Sequence, residues 1–191
     1  MSGAGFHVHG PHDHELEHAS QHEPEGFAGR LAVTTAVIAT VGALFAYEGG
    51  ATQANAGLYK NNAAIKKTEA SNQWNYFQAK SSKQNLAELA MELVPAERKA
   101  FYVDEVKRYK TEKTEIMAAA KKLEDESTAW DKQSDEQIHQ HHRWAQATTA
   151  LQIAIAMAAI ALLTKSRRLQ YGVYGLSAVG VVLGALAWFH V

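Results

Sequence analysis

The segment Leu93-Val94-Pro95-Ala96-Glu97 lies near the middle of a polar stretch that runs from Glu48 to Arg143. Pro95 has no amide hydrogen and disfavours a helical Val94, so a helix should end before it. The same Pro, followed by Glu97, suits the start of the next helix. Ala, Lys, Gln, Glu and Leu, which favour helices, dominate both sides. We therefore predict a helical hairpin over residues 48–143 whose arms are each about 65–70 Å long at 1.5 Å per residue.

Both arms repeat every seven residues, which is the spacing of a coiled coil. The second arm offers two rows: Tyr102, Tyr109, Ile116, Leu123 and Trp130, and Val106, Lys113, Ala120, Ser127 and Ser134. The first arm also offers two rows: Leu58, Ile65, Asn72, Ala79, Leu86 and Leu93, and Ala54, Asn61, Thr68, Asn75, Ser82 and Leu89. We predict that these rows face each other in an antiparallel, coiled-coil-like pair. A loose, solvated hairpin is the alternative, and the polar seam favours a homo-oligomer that buries more surface.

Three apolar blocks adjoin the polar stretch, and each is long enough to span a bilayer as a helix. They predict transmembrane helices at residues 27–47, 144–164 and 171–190, with a basic turn at residues 165–170. Trp144, Tyr171, Tyr174 and Trp188 stand at the block ends, where aromatic residues meet the lipid surface. A buried helix of a soluble protein is the alternative for the first block. The predicted fold class is therefore an all-α integral membrane protein. The lipid bilayer is its first predicted partner.

The orientation follows from the short turn that joins the last two blocks. Lys165, Arg167 and Arg168 lie there, and basic residues in short loops favour the cytoplasmic side. With three spans, the N-terminus is then cytoplasmic and the hairpin is periplasmic, in a bacterial inner membrane. Lys60, Lys66, Lys67 and Arg143 argue the other way, since they lie on the opposite side.

Residues 1–26 form a polar tail that is rich in histidine. His-x-His pairs and histidines at helical spacing can chelate Zn, Ni or Cu. The candidate ligands are His7, His9, His12, His14, His18 and His22. The alternatives are a plain polar tail and a tail that responds to pH.

The predicted topology brings a second group of ionisable residues to one membrane surface. It consists of Glu48, His139, His141, His142 and His190. A carboxylate with several imidazoles could bind a metal or relay protons. Histidines are also ordinary residues at such an interface, so both interpretations stand.

Two sets of residues are candidates for contact with another subunit or protein. Trp74, Tyr76 and Phe77 crowd a polar helix, and three aromatics in four positions cannot all face one partner helix. Gly180 and Gly184 form a Gly-x-x-x-Gly pair, which lets helices in a membrane approach closely. The alternatives are packing of Trp74 and Phe77 against the second arm, and ordinary small residues in a membrane helix.

Composition excludes several kinds of function. The sequence has no Cys, so thiol catalysis and Cys-based metal sites are excluded, and a net charge of -1 argues against nucleic acid as a partner. No nucleophile, base or phosphate-binding loop is recognisable. We expect no catalytic residues and no cofactor, apart from a metal on the histidine-rich tail, and we expect the protein not to be an enzyme.

The run Asn72-Gln73-Trp74-Asn75-Tyr76-Phe77-Gln78-Ala79-Lys80 and the layout of three spans with a long helical insert resemble an uncharacterised family of bacterial integral membrane proteins. The resemblance covers Phe27 to Val191 and leaves the histidine-rich tail outside. It implies a membrane location and a bacterial origin. It transfers no activity and no functional residues.

These observations lead to two functional hypotheses. The first is a non-enzymatic membrane scaffold or accessory subunit that acts through its hairpin, as a homo-oligomer or with another membrane protein. The alternative is a metal- or proton-responsive sensor or transport accessory that uses the histidines.

Overall fold

The computed structural model describes residues 26–190, and within that range every regular element is an α-helix. Helix α1 spans Phe27–Leu93, α2 spans Ala96–Thr164 and α3 spans Arg167–Trp188. The prediction of an all-α chain is confirmed over the described residues. All three helices include a stretch that is long and apolar enough to cross a membrane.

The break between α1 and α2 lies at Val94 and Pro95. The Val94 amide donates to the Ala90 carbonyl at 3.0 Å, which completes the last turn of α1. The Pro95 carbonyl accepts from the Arg98 amide at 3.0 Å and so begins α2. Pro95 therefore precedes the first helical residue, where its missing amide hydrogen costs no hydrogen bond.

The connection between α2 and α3 is shorter than the predicted turn at residues 165–170. Lys165 adopts a positive φ of 53°, and the Ser166 amide donates to the Ala161 carbonyl at 3.2 Å, as in a helix C-cap. Ser166 then caps α3 by accepting from the Leu169 amide. Arg167 and Arg168 thus belong to the first turn of α3, because the serine cap starts the helix at residue 167 rather than 171.

Contacts divide the chain into two compact units. Unit 1 combines the described residues up to Thr52 with those from His139 onward, and unit 2 is Gln53–Ile138. The core of unit 1 contains two clusters of apolar side chains from all three helices. The buried members of these clusters are Leu31, Ala158, Ala161 and Val173, and Ile38, Leu151 and Ala154.

In unit 2, the α1 and α2 segments pack against each other in opposite directions. Lys60 pairs with Asp131, Ala63 with Ser127, and Lys80 with Glu112. The residue numbers on α2 decrease as those on α1 increase, so the two segments are antiparallel. The side chains buried at the centre are small. They are Ala56, Ala63, Ala70, Ala87, Ala120, Ser127 and Ser134, together with Ile116 and Gln84.

The two heptad rows predicted to line the first arm of this seam are not buried in it, so that prediction is wrong. Leu58, Leu86 and Leu93 are 55%, 65% and 77% exposed. A different row, with Ala56, Ala63 and Ala70, takes their place because it lets the helices approach closely. On the second arm, by contrast, both predicted rows supply contact residues, among them Ile116 and Ser127.

Candidate functional site

The inner seam is the buried contact between α1 and α2 in unit 2, formed by the small residues named above. Ser127 Oγ donates to the Ala63 carbonyl at 2.8 Å, and Ser134 Oγ donates to the Ala56 carbonyl at 2.9 Å. Both hydroxyls bond to a backbone carbonyl of the neighbouring helix, which requires the two backbones to lie close together. The seam is thus held by close packing and by hydrogen bonds rather than by large apolar side chains.

An ion pair joins the two helices of unit 2 further along. Lys80 Nζ lies 2.5 Å from Glu112 Oε2, and only 14% of the Lys80 side chain is exposed. Its ammonium group also lies 5.2 Å from the Tyr76 ring centre and 5.5 Å from that of Tyr109. The hydrogen bond from Lys80 lowers the pKa of Glu112, and the same bond raises the pKa of Lys80. Both groups are therefore charged at neutral pH and tie α1 to α2.

The aromatic residues Trp74, Tyr76 and Phe77 of α1 divide between two surfaces. Trp74 Nε1 donates to Glu124 Oε1 on α2 at 2.8 Å, and the Phe77 ring lies 5.6 Å from that of Trp74. Lys113 of α2 lies 5.0 Å from the Phe77 ring centre. Trp74 and Phe77 thus pack against α2 of the same chain, and only Tyr76, which is 50% exposed, remains on the outside.

An exposed apolar row follows α1 on the side of unit 2 that faces away from α2. It contains Leu58, Ile65, Leu86 and Leu93, with exposed Leu89 beside it. Asn72 and Ala79 complete the row at intervals of seven, and both are exposed. We name this row and its companion (Asn61, Thr68, Asn75, Ser82, Leu89) the outer seam.

One open groove of about 790 Å³ also lies on unit 2. Alanine and serine residues of the inner seam line it, together with charged residues of both helices. Lys60 and Asp131 join across it at 2.5 Å. Among its other charged lining residues, Glu124 accepts the hydrogen bond from Trp74.

In unit 1, Gln140 and His141 make hydrogen bonds to residues outside α2. The Gln140 amide nitrogen donates to the Ala187 carbonyl of α3 and to His190 Nδ1, the latter at 2.8 Å. His141 Nδ1 donates to the Gly49 carbonyl of α1 at 2.8 Å. Gln140 and its neighbour His141 therefore connect α2 to both other helices.

Aromatic packing adds to the same region. Trp144 is buried, and its ring centre lies 5.3 Å from that of Phe45 and 6.4 Å from that of Trp188. A methyl group at Gly49 would lie 3.3 Å from Trp144 Cβ. Glycine at position 49 therefore allows α1 to approach α2 here.

The predicted cluster of Glu48, His139, His141, His142 and His190 does not form one site. His141 and His190 bond to different partners, and His139 and His142 are exposed. Across the described range 26–190, no three His, Cys, Asp or Glu residues form a group that could hold a metal ion. His141 and His190 act here as links between helices.

Gly180 and Gly184 contact helices of the same chain. A methyl group at Gly180 would lie 2.5 Å from a methyl group of Leu151 on α2, and one at Gly184 would overlap the Phe45 ring of α1. Both glycines are buried. They bring α3 close to α1 and α2 of the same chain.

The candidate ligands of the histidine-rich tail, His7, His9, His12, His14, His18 and His22, lie outside the described residues. No motif in the sequence indicates the contacts of Gln140 and Gly49 or the Lys80–Glu112 pair. A period-seven series of small residues, Gly42, Gly49, Ala56, Ala63 and Ala70, was the signal that could have found the close contact.

Comparison with known proteins gives one match. A family model described as a domain of unknown function (DUF4337) matches residues 27–190, which include all three helices. No curated protein matches the chain, and no solved structure does so.

Proposed function

We propose that this chain, which belongs to the DUF4337 family, is a non-enzymatic membrane scaffold or accessory subunit. Three helices would anchor it in a bacterial inner membrane, and the paired α1 and α2 segments of unit 2 would form a hairpin outside the bilayer. The family description names no activity, so the proposal rests on the arrangement of side chains in each unit.

The observation that carries the proposal is the exposure of large apolar side chains in unit 1. Large apolar residues point outward on every helix: Val37 is 57% exposed, Leu163 is 85% exposed and Val182 is 57% exposed. The buried interior combines small residues, such as Ala154 and Gly180, with the larger Leu31 and Leu151. Water would penalise this arrangement at about 25 cal/mol for each Å² of exposed apolar surface, whereas lipid would not.

The polar composition of unit 2 supports a position outside the bilayer. Its surface has ion pairs such as Lys60–Asp131 and Lys66–Glu126, which hydrocarbon would strongly disfavour. Helices α1 and α2 each continue without a break from an apolar block into unit 2.

For the orientation, we propose that the N-terminus lies in the cytoplasm and the hairpin in the periplasm. Lys165, Arg167 and Arg168 support this, since all three lie at the short connection between α2 and α3.

The absence of Cys from the sequence makes this orientation directly testable. Ala100, near the break between α1 and α2, is exposed. In intact cells with a permeabilised outer membrane, a membrane-impermeant maleimide should label Ala100→Cys. It should label the matched Ser2→Cys variant only after lysis. The opposite pattern would reverse the topology, and release of the chain by alkaline carbonate would refute membrane insertion.

The scaffold role predicts an assembly larger than one chain. Light scattering of the full chain in lipid discs should give a protein mass above the monomer's 20.9 kDa. A monomer in discs that also associates with no other protein in native membranes would contradict the scaffold role without affecting the topology.

A further inference from the structure

The outer seam of α1 has the pattern of a coiled coil that has no partner within the described part of the chain. Positions Leu58, Ile65, Asn72, Ala79, Leu86 and Leu93 repeat every seven residues, and the companion row Asn61, Thr68, Asn75, Ser82 and Leu89 lies three residues further on. All of these residues are exposed, and Asn75 also lines the groove on unit 2. They lie almost opposite the alanine row that contacts α2, because each residue advances the helix by 100°.

The charged residues of this part of α1 all lie outside the outer seam. None of the residues in its two rows is charged, although Lys60, Lys66, Lys67, Lys80, Glu88 and others lie in the same stretch. A merely solvated face would be expected to carry its share of these charges. An uncharged stripe with leucines at both ends is instead the pattern of a helix–helix contact.

We infer that the outer seam pairs with the outer seam of a second copy of this chain, with the two α1 helices parallel and in register. The inference rests on the proposed function, since copies inserted in one membrane with one topology have parallel α1 helices. In that register, Asn72 faces Asn72 of the second copy. A polar Asn pair at such a position favours one register at some cost in stability.

The residues that flank the seam fit this register. In a parallel pair, each flanking residue lies near the one five positions further along the other helix. Gln78 then lies near Lys83, and Ala64 lies near Glu69, so these neighbours have complementary or neutral character. No like charges meet along the stretch from Leu58 to Leu93.

The size of the seam indicates how strong the pairing is. Its length is roughly 50 Å, and a face about 10 Å wide gives about 500 Å² for each copy. The total of about 1,000 Å² is below the roughly 1,200–2,000 Å² typical of stable complexes. Pairing therefore needs the membrane, which holds the copies at a high local concentration.

Disulfide crosslinking of the full chain in native membranes tests the inference. Thr68 belongs to the seam, and its neighbour Lys67 lies at the same height on another side of α1; both are exposed. A disulfide requires Cβ atoms about 3.5–4.5 Å apart, so Thr68→Cys should form dimers about tenfold more readily than Lys67→Cys. Adding Leu86→Lys to Thr68→Cys should remove this excess.

Other outcomes would overturn the inference in distinguishable ways. If neither cysteine forms dimers although a soluble maleimide labels both, the seam is free and the membrane scaffold still stands. A crosslink from Thr68→Cys to a different protein would assign the seam to that protein. A crosslink found only in mixtures of Thr68→Cys and Ala79→Cys chains would indicate opposed helices. A chain absent from the membrane fraction would refute the proposed function as well.

Discussion

Helix α1 has two faces in unit 2, and they differ in a way that hydrophobicity alone does not predict. The inner face is lined by Ala56, Ala63 and Ala70, which are 2–4% exposed. The outer face carries Leu58 and Leu86, which are 55% and 65% exposed. The smaller side chains are buried within the chain, and the larger ones are left outside.

The difference shows that the distance between two backbones can decide which face is buried. Small residues allow α1 and α2 to come close enough for Ser127 and Ser134 to bond to carbonyls of α1. Leucines at the same contact would hold the helices apart and leave those hydroxyls without partners. The buried hydrogen bonds and close packing offset the smaller apolar area.

A larger side chain on the inner face should cause the greatest loss of stability in unit 2. Ala120 is fully buried between α1 and α2, so Ala120→Leu should destabilise unit 2 by about 1–3 kcal/mol through overpacking. Its neighbour Ala119 is exposed, and Ala119→Leu should change stability by less than about 0.5 kcal/mol. Amide hydrogen exchange in unit 2 measures both changes as free energies of local opening.

If the two leucine variants exchanged alike, the inner contact would not be close-packed. A more stable Ala120→Leu variant would mean that the helices have room for larger residues, and the distinction between the faces would fail.

The hydrogen bonds across the inner seam provide the next test. Removing the Ser127 hydroxyl leaves the Ala63 carbonyl without the hydrogen bond that crosses the seam, so Ser127→Ala should cost about 1 kcal/mol. Thr128, which is exposed and bonds within its own helix, is the matched control. Thr128→Ala should leave hydrogen exchange in unit 2 nearly unchanged, and an equal loss in both variants would show that the cross-helix bond adds nothing.

The sequence predicted the helices and the position of the break well, because both depend on local chemistry. Pro95 interrupts a long run of helix formers, and no distant contact is needed to end α1 there. Which face of α1 is buried depends instead on how closely α1 and α2 approach each other. Leu58 and Ala56 are only two residues apart, and only the recurrence of small residues every seven positions favours the alanine.

The polar links of unit 1 could not be predicted for a related reason. Gln140 bonds to the Ala187 carbonyl and to His190, which follow it by about 50 residues along the chain. The sequence placed His139, His141, His142 and His190 near one membrane surface but could not indicate which groups each ring would bond. In the structure, His141 donates a hydrogen bond to a carbonyl of α1, and His190 accepts one from the side-chain amide of Gln140.

The ion pair between Lys80 and Glu112 should have a smaller effect than the inner seam, and one that depends on pH. Because the pKa of Glu112 is lowered, its contribution is present above the ordinary pKa of glutamate and is lost as pH falls through the lowered value. Because the pKa of Lys80 is raised, its contribution persists until pH rises through that value. Unit 2 should therefore be stabilised across the neutral range.

Glu112→Gln removes the charge that pairs with Lys80 and, at 3.6 Å, with Arg108. Thermal unfolding followed by circular dichroism should show less loss of stability on acidification than in the unchanged chain. Glu115, which is exposed on the same helix, is the control, and Glu115→Gln should leave the pH profile close to that of the unchanged chain. Identical acid profiles for the unchanged chain and Glu112→Gln would mean that the pair does not stabilise unit 2.

The smallest change in the stability of unit 2 should come from replacing an exposed leucine of the outer face by lysine. Leu86 is 65% exposed, so Leu86→Lys should alter the free energy of opening of unit 2 by less than about 0.5 kcal/mol in detergent, where chains are diluted from one another. Leu86→Lys should nonetheless abolish dimers in membranes if the outer seam pairs there. A large loss of stability in diluted detergent would instead show that Leu86 is part of the fold, and the outer seam would then no longer be a free surface.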